Sequence, residues 1–136
     1  MKVKDLMIGD LVLVSGEISK VRKIHEYGVY LQDRNLYYGE DEIKPIPLNK
    51  EILEKNNDIL YGELPILFDD GKMRYSIVEC RYISKEYERN NETFYCLLSS
   101  CVYNGGSFIT PFAKIRYVHE LQHALKLCGI EKEITL

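Results

Sequence analysis

The chain has no tryptophan, only four prolines and nine glycines among its 136 residues, and no low-complexity segment. A collagen-like, linker-like or disordered composition is thereby excluded. No apolar run approaches the roughly 18 residues a membrane-spanning helix needs. Acidic Asp5 and Asp10 come before any long apolar region, so neither a membrane span nor a targeting signal is expected, and the expected setting is the cytoplasm. A basic excess is also missing: 18 Lys and Arg stand against 21 Asp and Glu, a formal net charge of -3. Proteins that live on nucleic-acid phosphates carry a basic surplus or stripe, so generic DNA binding is disfavoured. The richest basic cluster, Lys20, Arg22 and Lys23, reads as the solvated face of a strand. There is no Cys-x-x-Cys pair. Cys80, Cys96, Cys101 and Cys128 each lie in an apolar stretch, which favours buried free thiols over disulfides or a thiolate metal site.

What is present is an ordinary globular balance, 46% hydrophobic and 29% charged, in a chain long enough to bury one core or two small ones. Between residues 9 and 48 short strand patterns alternate with turn signals. Leu11-Val12-Leu13-Val14 is followed by Ser15-Gly16, Ile18 to Ile24 by Tyr27-Gly28, and Val29-Tyr30-Leu31 by Asp33-Arg34-Asn35. Leu36-Tyr37-Tyr38 and the stretch from Ile43 to Leu48 complete a β-meander of some five strands. A meander of that size suits a small closed barrel of the SH3-like kind, with Pro45 and Pro47 on an edge or at the exit because neither can donate to a ladder.

Asn49 is a good N-cap for a short helix through Lys50 to Lys55, and Leu48 and Leu53 stand at staple spacing. Strand-like runs resume at Ile59 to Phe68, Tyr75 to Ile83, Phe94 to Tyr103 and Phe108 to Ile115. Asp69-Asp70-Gly71, Arg89-Asn90-Asn91 and Asn104-Gly105-Gly106 separate them as turns. Asp69-Asp70-Gly71 lacks the spaced oxygens of a calcium loop. Asn91-Glu92-Thr93 fits the glycosylation pattern but has no expected use without secretion. A final helix over about Tyr117 to Cys128 puts Tyr117, Val118, Leu121, Ala124, Leu125 and Cys128 on one apolar face, with Gly129 and Ile130 placed for a Schellman ending. Its start is open: Thr110-Pro111 could begin a longer helix, or Phe112 to Arg116 could be a strand running into it.

The one motif with possible chemistry is His119-Glu120-Leu121-Gln122-His123. In zinc peptidases two histidines at i and i+4 bind the metal, and the glutamate between them is general base to the bound water. With three histidines in the chain, a chance match arises on the order of once in a hundred such chains. A third ligand is required, but the metzincin extension would need Gly where Lys126 stands and His where Gly129 stands. Glu131, Glu133 and distant His25 are the remaining candidates. His119 and His123 fall with Gln122 and Lys126 opposite the apolar stripe, where solvent exposure is the expectation. The favoured reading is therefore a fortuitous match, with no cofactor and no catalytic residue. Zinc on His119 and His123 with Glu120 as base is the rival. Among eleven tyrosines, Tyr27, Tyr30, Tyr37 and Tyr38 cluster in the expected barrel as a possible partner surface, although tyrosine is also a common half-buried strand residue.

Ile8-Gly9-Asp10-Leu11-Val12, the stretch from Ile43-Lys44-Pro45 through Glu54-Lys55-Asn56, and Tyr117 to Leu125 together resemble a group of small uncharacterised proteins encoded by anaerobic gut bacteria and their phages or prophages. The resemblance implies a phage or mobile-element origin and a bacterial or phage-infected cell as the setting, and it carries over no activity and no site residue. The expected protein is α+β and mostly β. Residues 1–48 form an SH3-like barrel lobe, 49–57 a linking helix, and 58–136 an antiparallel sheet with the C-terminal helix. Its expected role is non-enzymatic binding of a protein partner, with a zinc-dependent hydrolase and a nucleic-acid-binding barrel using Lys20, Arg22 and Lys23 as alternatives.

Overall fold

The computed structural model describes residues 1–57, 66–79, 94–101, 107–109 (backbone only) and 114–136. The expected turns at Arg89-Asn90-Asn91 and Asn104-Gly105-Gly106, the Asn91-Glu92-Thr93 pattern, Thr110-Pro111 and Cys80 fall outside the described residues.

Turn chemistry starts the first sheet. Strand β1 (Leu11–Val14) passes through Ser15-Gly16 into β2 (Glu17–His25). Both turn residues have positive φ, 53° and 80°, as a type I′ hairpin requires. Strands β3 (Gly28–Leu31), β4 (Tyr37–Gly39) and β5 (Ile43–Lys44) complete a five-stranded antiparallel sheet of order β4-β3-β2-β1-β5. The early part of β2 pairs with β1 and its later part with β3. A register shift between Val21 and Lys23, of the kind a β-bulge makes, marks the change.

The ends of this sheet, β4 and β5, do not pair with one another. The N-terminal segment, with a 3-10 turn at Val3–Asp5, holds the two together instead. The Met1 amine donates to the carbonyls of Glu40 and Ile43, and the Val3 N–H to the Glu40 carboxylate at 2.8 Å. Val3 and Leu6 are thereby buried with Val12, Val14, Val21, Val29, Leu31, Tyr38 and Ile43.

Gly28 belongs to β3 and not to the turn expected at Tyr27-Gly28; the turn is Glu26-Tyr27, closed by the His25–Gly28 pair. A Cβ at Gly28 would lie 2.3 Å from the Tyr38 carbonyl and 2.5 Å from the Tyr37 ring, so glycine answers here to close approach across the sheet.

Helix α1 (Lys50–Lys55) begins where Asn49 accepts the Ile52 N–H at 2.9 Å. The second sheet is antiparallel, in the order β6 (Ile66–Asp69), β7 (Met73–Glu79), β8 (Tyr95–Cys101), β9 (Ser107–Ile109). At the Asp69-Asp70-Gly71 turn, the Gly71 N–H binds Asp69 and those of Met73 and Lys72 bind Asp70. These bonds hold both carboxyls below their usual pKa.

Helix α2 (Val118–Leu127) starts abruptly. Ile115 bridges Tyr95 and Tyr117 bridges Pro47, so backbone pairing keeps the residues just before the helix extended. Its end is the expected Schellman motif: Ile130 N–H to Leu125 O at 2.9 Å, Gly129 N–H to Lys126 O at 3.0 Å, and Gly129 at φ 76°. Val118, Leu121, Ala124 and Leu125 bury the predicted face in a core shared with Ile46, Leu48, Ile52, Leu53, Leu67, Ile77 and Leu97. Leu11 and Leu13 pack on that core from β1, while Val12 and Val14 serve the other. Cys101 and Cys128 are free, whereas Cys96 is disulfide-bonded. The expectation of a free thiol holds at Cys101 and Cys128 and is corrected at Cys96, where the apolar surroundings that suggested a thiol suit a disulfide equally.

Asn56 ties α1 to the C-terminal tail. Its amide donates to Ile52 O and Thr135 O at 2.6 and 2.7 Å and accepts the Thr135 N–H at 2.8 Å. Because Asn56→Ala leaves several of these groups unpaired, it should cost about 2–3 kcal/mol, against about 1 kcal/mol for the cap variant Asn49→Ala. Urea unfolding measures both, and an Asn56→Ala midpoint equal to the wild type would refute the tie.

Candidate functional site

The His-Glu-x-x-His stretch occupies the first two turns of α2, and local structure gives each member a task. The N-cap is Tyr117, whose side chain is a poor substitute for the usual Ser, Thr, Asp or Asn. The Glu120 carboxylate fills in, accepting the N–H groups of Arg116 at 2.6 Å and Tyr117 at 3.1 Å.

His119 is 5% exposed, not on a solvated face. The face opposite the apolar stripe looks onto the N-terminal segment, which with Pro45, Tyr117, Glu120 and His123 lines an open cleft of about 600 Å³. The His119 ring stacks on Tyr117 at 5.8 Å between centroids and meets His123 edge-on at 5.7 Å. Its Nδ1 is buried without a hydrogen-bond partner. Burial pushes its pKa below 6.5, against the pull of the Glu120, Asp10 and Asp5 carboxylates.

His123 reaches the other half of the molecule. Its Nε2 lies 2.9 and 2.7 Å from the two carboxylate oxygens of Asp10, which is 2% exposed and also accepts the Met7 N–H at 2.7 Å. Gln122 adds a bidentate grip on the same loop, accepting the Leu11 N–H at 3.0 Å and donating to Gly9 O at 3.2 Å. A second cleft, of about 610 Å³, opens on the far side of this clamp, and Met7 and His123 line both. Nothing in the sequence pattern flagged Asp10 as the partner of His123; the residues are 113 positions apart.

The candidate third ligands do not converge on this pair. Glu133 is bonded to Lys20 at 3.3 Å, Glu131 lines the second cleft, and His25 packs on tyrosines of the first sheet. Among the described residues, no three His, Cys, Asp or Glu side chains form a metal-binding group.

The expected tyrosine cluster divides between the two faces of the first sheet. Lys23, Tyr30 and Tyr37 are cross-strand partners, so their side chains share one face. On that face His25, Tyr30 and Tyr37 meet edge-on at 5.3, 6.1 and 5.6 Å between centroids. Tyr37 is 43% exposed, and turn residue Tyr27 is 68% exposed. Tyr38 belongs to the opposite face, inside the core.

No family model, curated protein or solved structure matches the chain. Among the described residues, no helix is long and apolar enough to cross a membrane.

The buried His119 predicts a pH dependence. Its folded pKa lies below the unfolded value, so the unfolded chain binds more protons between the two. His119 therefore subtracts stability as pH falls through about 6.5, and not above it. In a urea series from pH 8 to 5, His119→Gln should lose less stability than wild type over the acidic part. Parallel curves would mean that the ring is not desolvated in solution.

Proposed function

We propose that the chain is a non-enzymatic binding module that receives a protein partner on the exposed side of β2, β3 and β4. The outward His25–Tyr30–Tyr37 cluster carries this reading. Aromatic rings offer large contact area at low entropic cost, and they dominate the energetics of interfaces. Gly28 gives the Tyr37 ring the space to lie across β3. The strand order β4-β3-β2-β1-β5, with β2 shared between β1 and β3 across a register shift, supports describing this lobe as an SH3-like barrel. Such barrels often act as interaction platforms, an argument by fold analogy. A phage or mobile-element accessory role in the cytoplasm of a bacterial or phage-infected cell completes the proposal, resting on the resemblance described above.

The zinc-hydrolase alternative is less favoured because, among the described residues, no third ligand converges with His119 and His123, and one oxygen of Glu120, Oε2, is spent on two backbone N–H groups at the start of its own helix. The nucleic-acid alternative required Lys20, Arg22 and Lys23 to line one aromatic groove. Lys23 stands opposite Tyr30, but Lys20 is bonded to Glu133 beside the second cleft.

Panning a displayed peptide library on the wild-type chain should yield ligands whose affinity falls roughly tenfold or more on Tyr30→Ala or Tyr37→Ala, with unchanged circular dichroism. Selected peptides that bind the doubly substituted protein as tightly as the wild type would remove this face from the proposal.

A further inference from the structure

We propose that His119 and His123 bind a divalent transition-metal ion of the borderline class typified by zinc, held by two imidazoles with water completing its coordination, at a site without hydrolytic function. The inference goes beyond the partner-binding role and does not depend on it.

Residues at i and i+4 share a helical face, and here the two rings stand 5.7 Å apart between centroids on the wall of one cleft. The Asp10 carboxylate can only accept, so the 2.7 Å contact is a hydrogen bond donated by His123 Nε2–H. In the neutral ring that leaves the lone pair on Nδ1. A carboxylate on the far nitrogen is the usual outer-shell support of a metal-binding histidine, fixing both tautomer and ring orientation. His119 adds a second imidazole whose Nδ1 has no partner in the protein.

The cleft carries charges of both signs. Asp5 and Glu120 line the same cleft, and Asp10 lies directly behind His123; Lys2 and Lys4 are exposed at its rim. Imidazole donors select zinc, copper or nickel over magnesium and calcium, which prefer oxygen. Hydrolysis is not expected of the ion, because two protein ligands are fewer than the three a catalytic zinc uses, and Glu120 already spends one oxygen, Oε2, on both N–H groups at the helix start.

The test is calorimetric titration of the chelator-treated full chain with zinc chloride, paired with cobalt chloride followed by visible absorption. One ion per chain is expected. His119→Gln and His123→Gln should each weaken binding about tenfold or more, and Asp10→Asn, acting through His123, by about ten- to a hundredfold. His25→Gln should leave binding unchanged. A doubly substituted His119→Gln/His123→Gln protein that binds zinc as tightly as the wild type would overturn the proposal. Should a variant fail to fold, long-range proton–nitrogen NMR of the wild type decides. Zinc must shift the ring nitrogens of His119 and His123 and not those of His25, and unmoved His119 and His123 signals reject the site.

Discussion

The structure depends on the grip of α2 on the loop from Met7 to Leu11. Asp10 carries a carboxylate into a position 2% exposed, and burying such a charge costs several kcal/mol unless it is paired and hydrogen-bonded. His123 supplies the pairing and the Met7 N–H the further bond. Gln122 satisfies one donor and one acceptor on either side of the same aspartate. Gly9 sits at φ 97°, a conformation that residues with a side chain rarely adopt, so the loop shape that presents Asp10 rests on glycine as well. Apolar contact is non-directional, whereas three directed polar bonds, one from His123 and two from Gln122, fix one seating.

That seating explains why β1 reads as four consecutive apolar residues. A strand packed on one face alternates, but β1 packs on both: Val12 and Val14 face the core of the first sheet, and Leu11 and Leu13 face the core that α2 closes. The strand is thus the partition between two cores. The clamp at its beginning fixes where α2 lies relative to that partition, and the two clefts on either side of the clamp follow from the same geometry, meeting at Met7 and His123.

Local features were largely legible in the sequence. The Ser15-Gly16 turn, the Asn49 cap, the apolar face of α2 and its Gly129 ending are each decided within a few residues by backbone chemistry, and each stands as expected. What escaped was decided by distant chain. Gly28 looked like a turn glycine because nothing local reveals that the Tyr37 ring will cross it. Tyr38 joined its neighbours as a surface candidate because alternation sorts the faces of a strand only once the pairing register is known. His119 was expected in solvent because helical periodicity sees one apolar stripe and not the N-terminal segment that faces the other side. Asp10 and His123, 113 residues apart, had no local signature at all.

The motif on α2 shows how context redirects residues whose spacing suggests one chemistry. Glu120 cannot leave the helix start without uncovering the N–H groups of Arg116 and Tyr117, and a lost cap costs about 1 kcal/mol. A tyrosine at the N-cap makes that dependence stronger, since its side chain offers no ready replacement. The histidines are differently placed. His123 uses one nitrogen for the clamp and keeps the other, and His119 lies beside it with an unpartnered Nδ1. One oxygen of Glu120 is engaged by the helix start, His123 is engaged by Asp10, and His119 Nδ1 has no protein partner, so three residues with the spacing of a zinc-peptidase motif are held in three different ways.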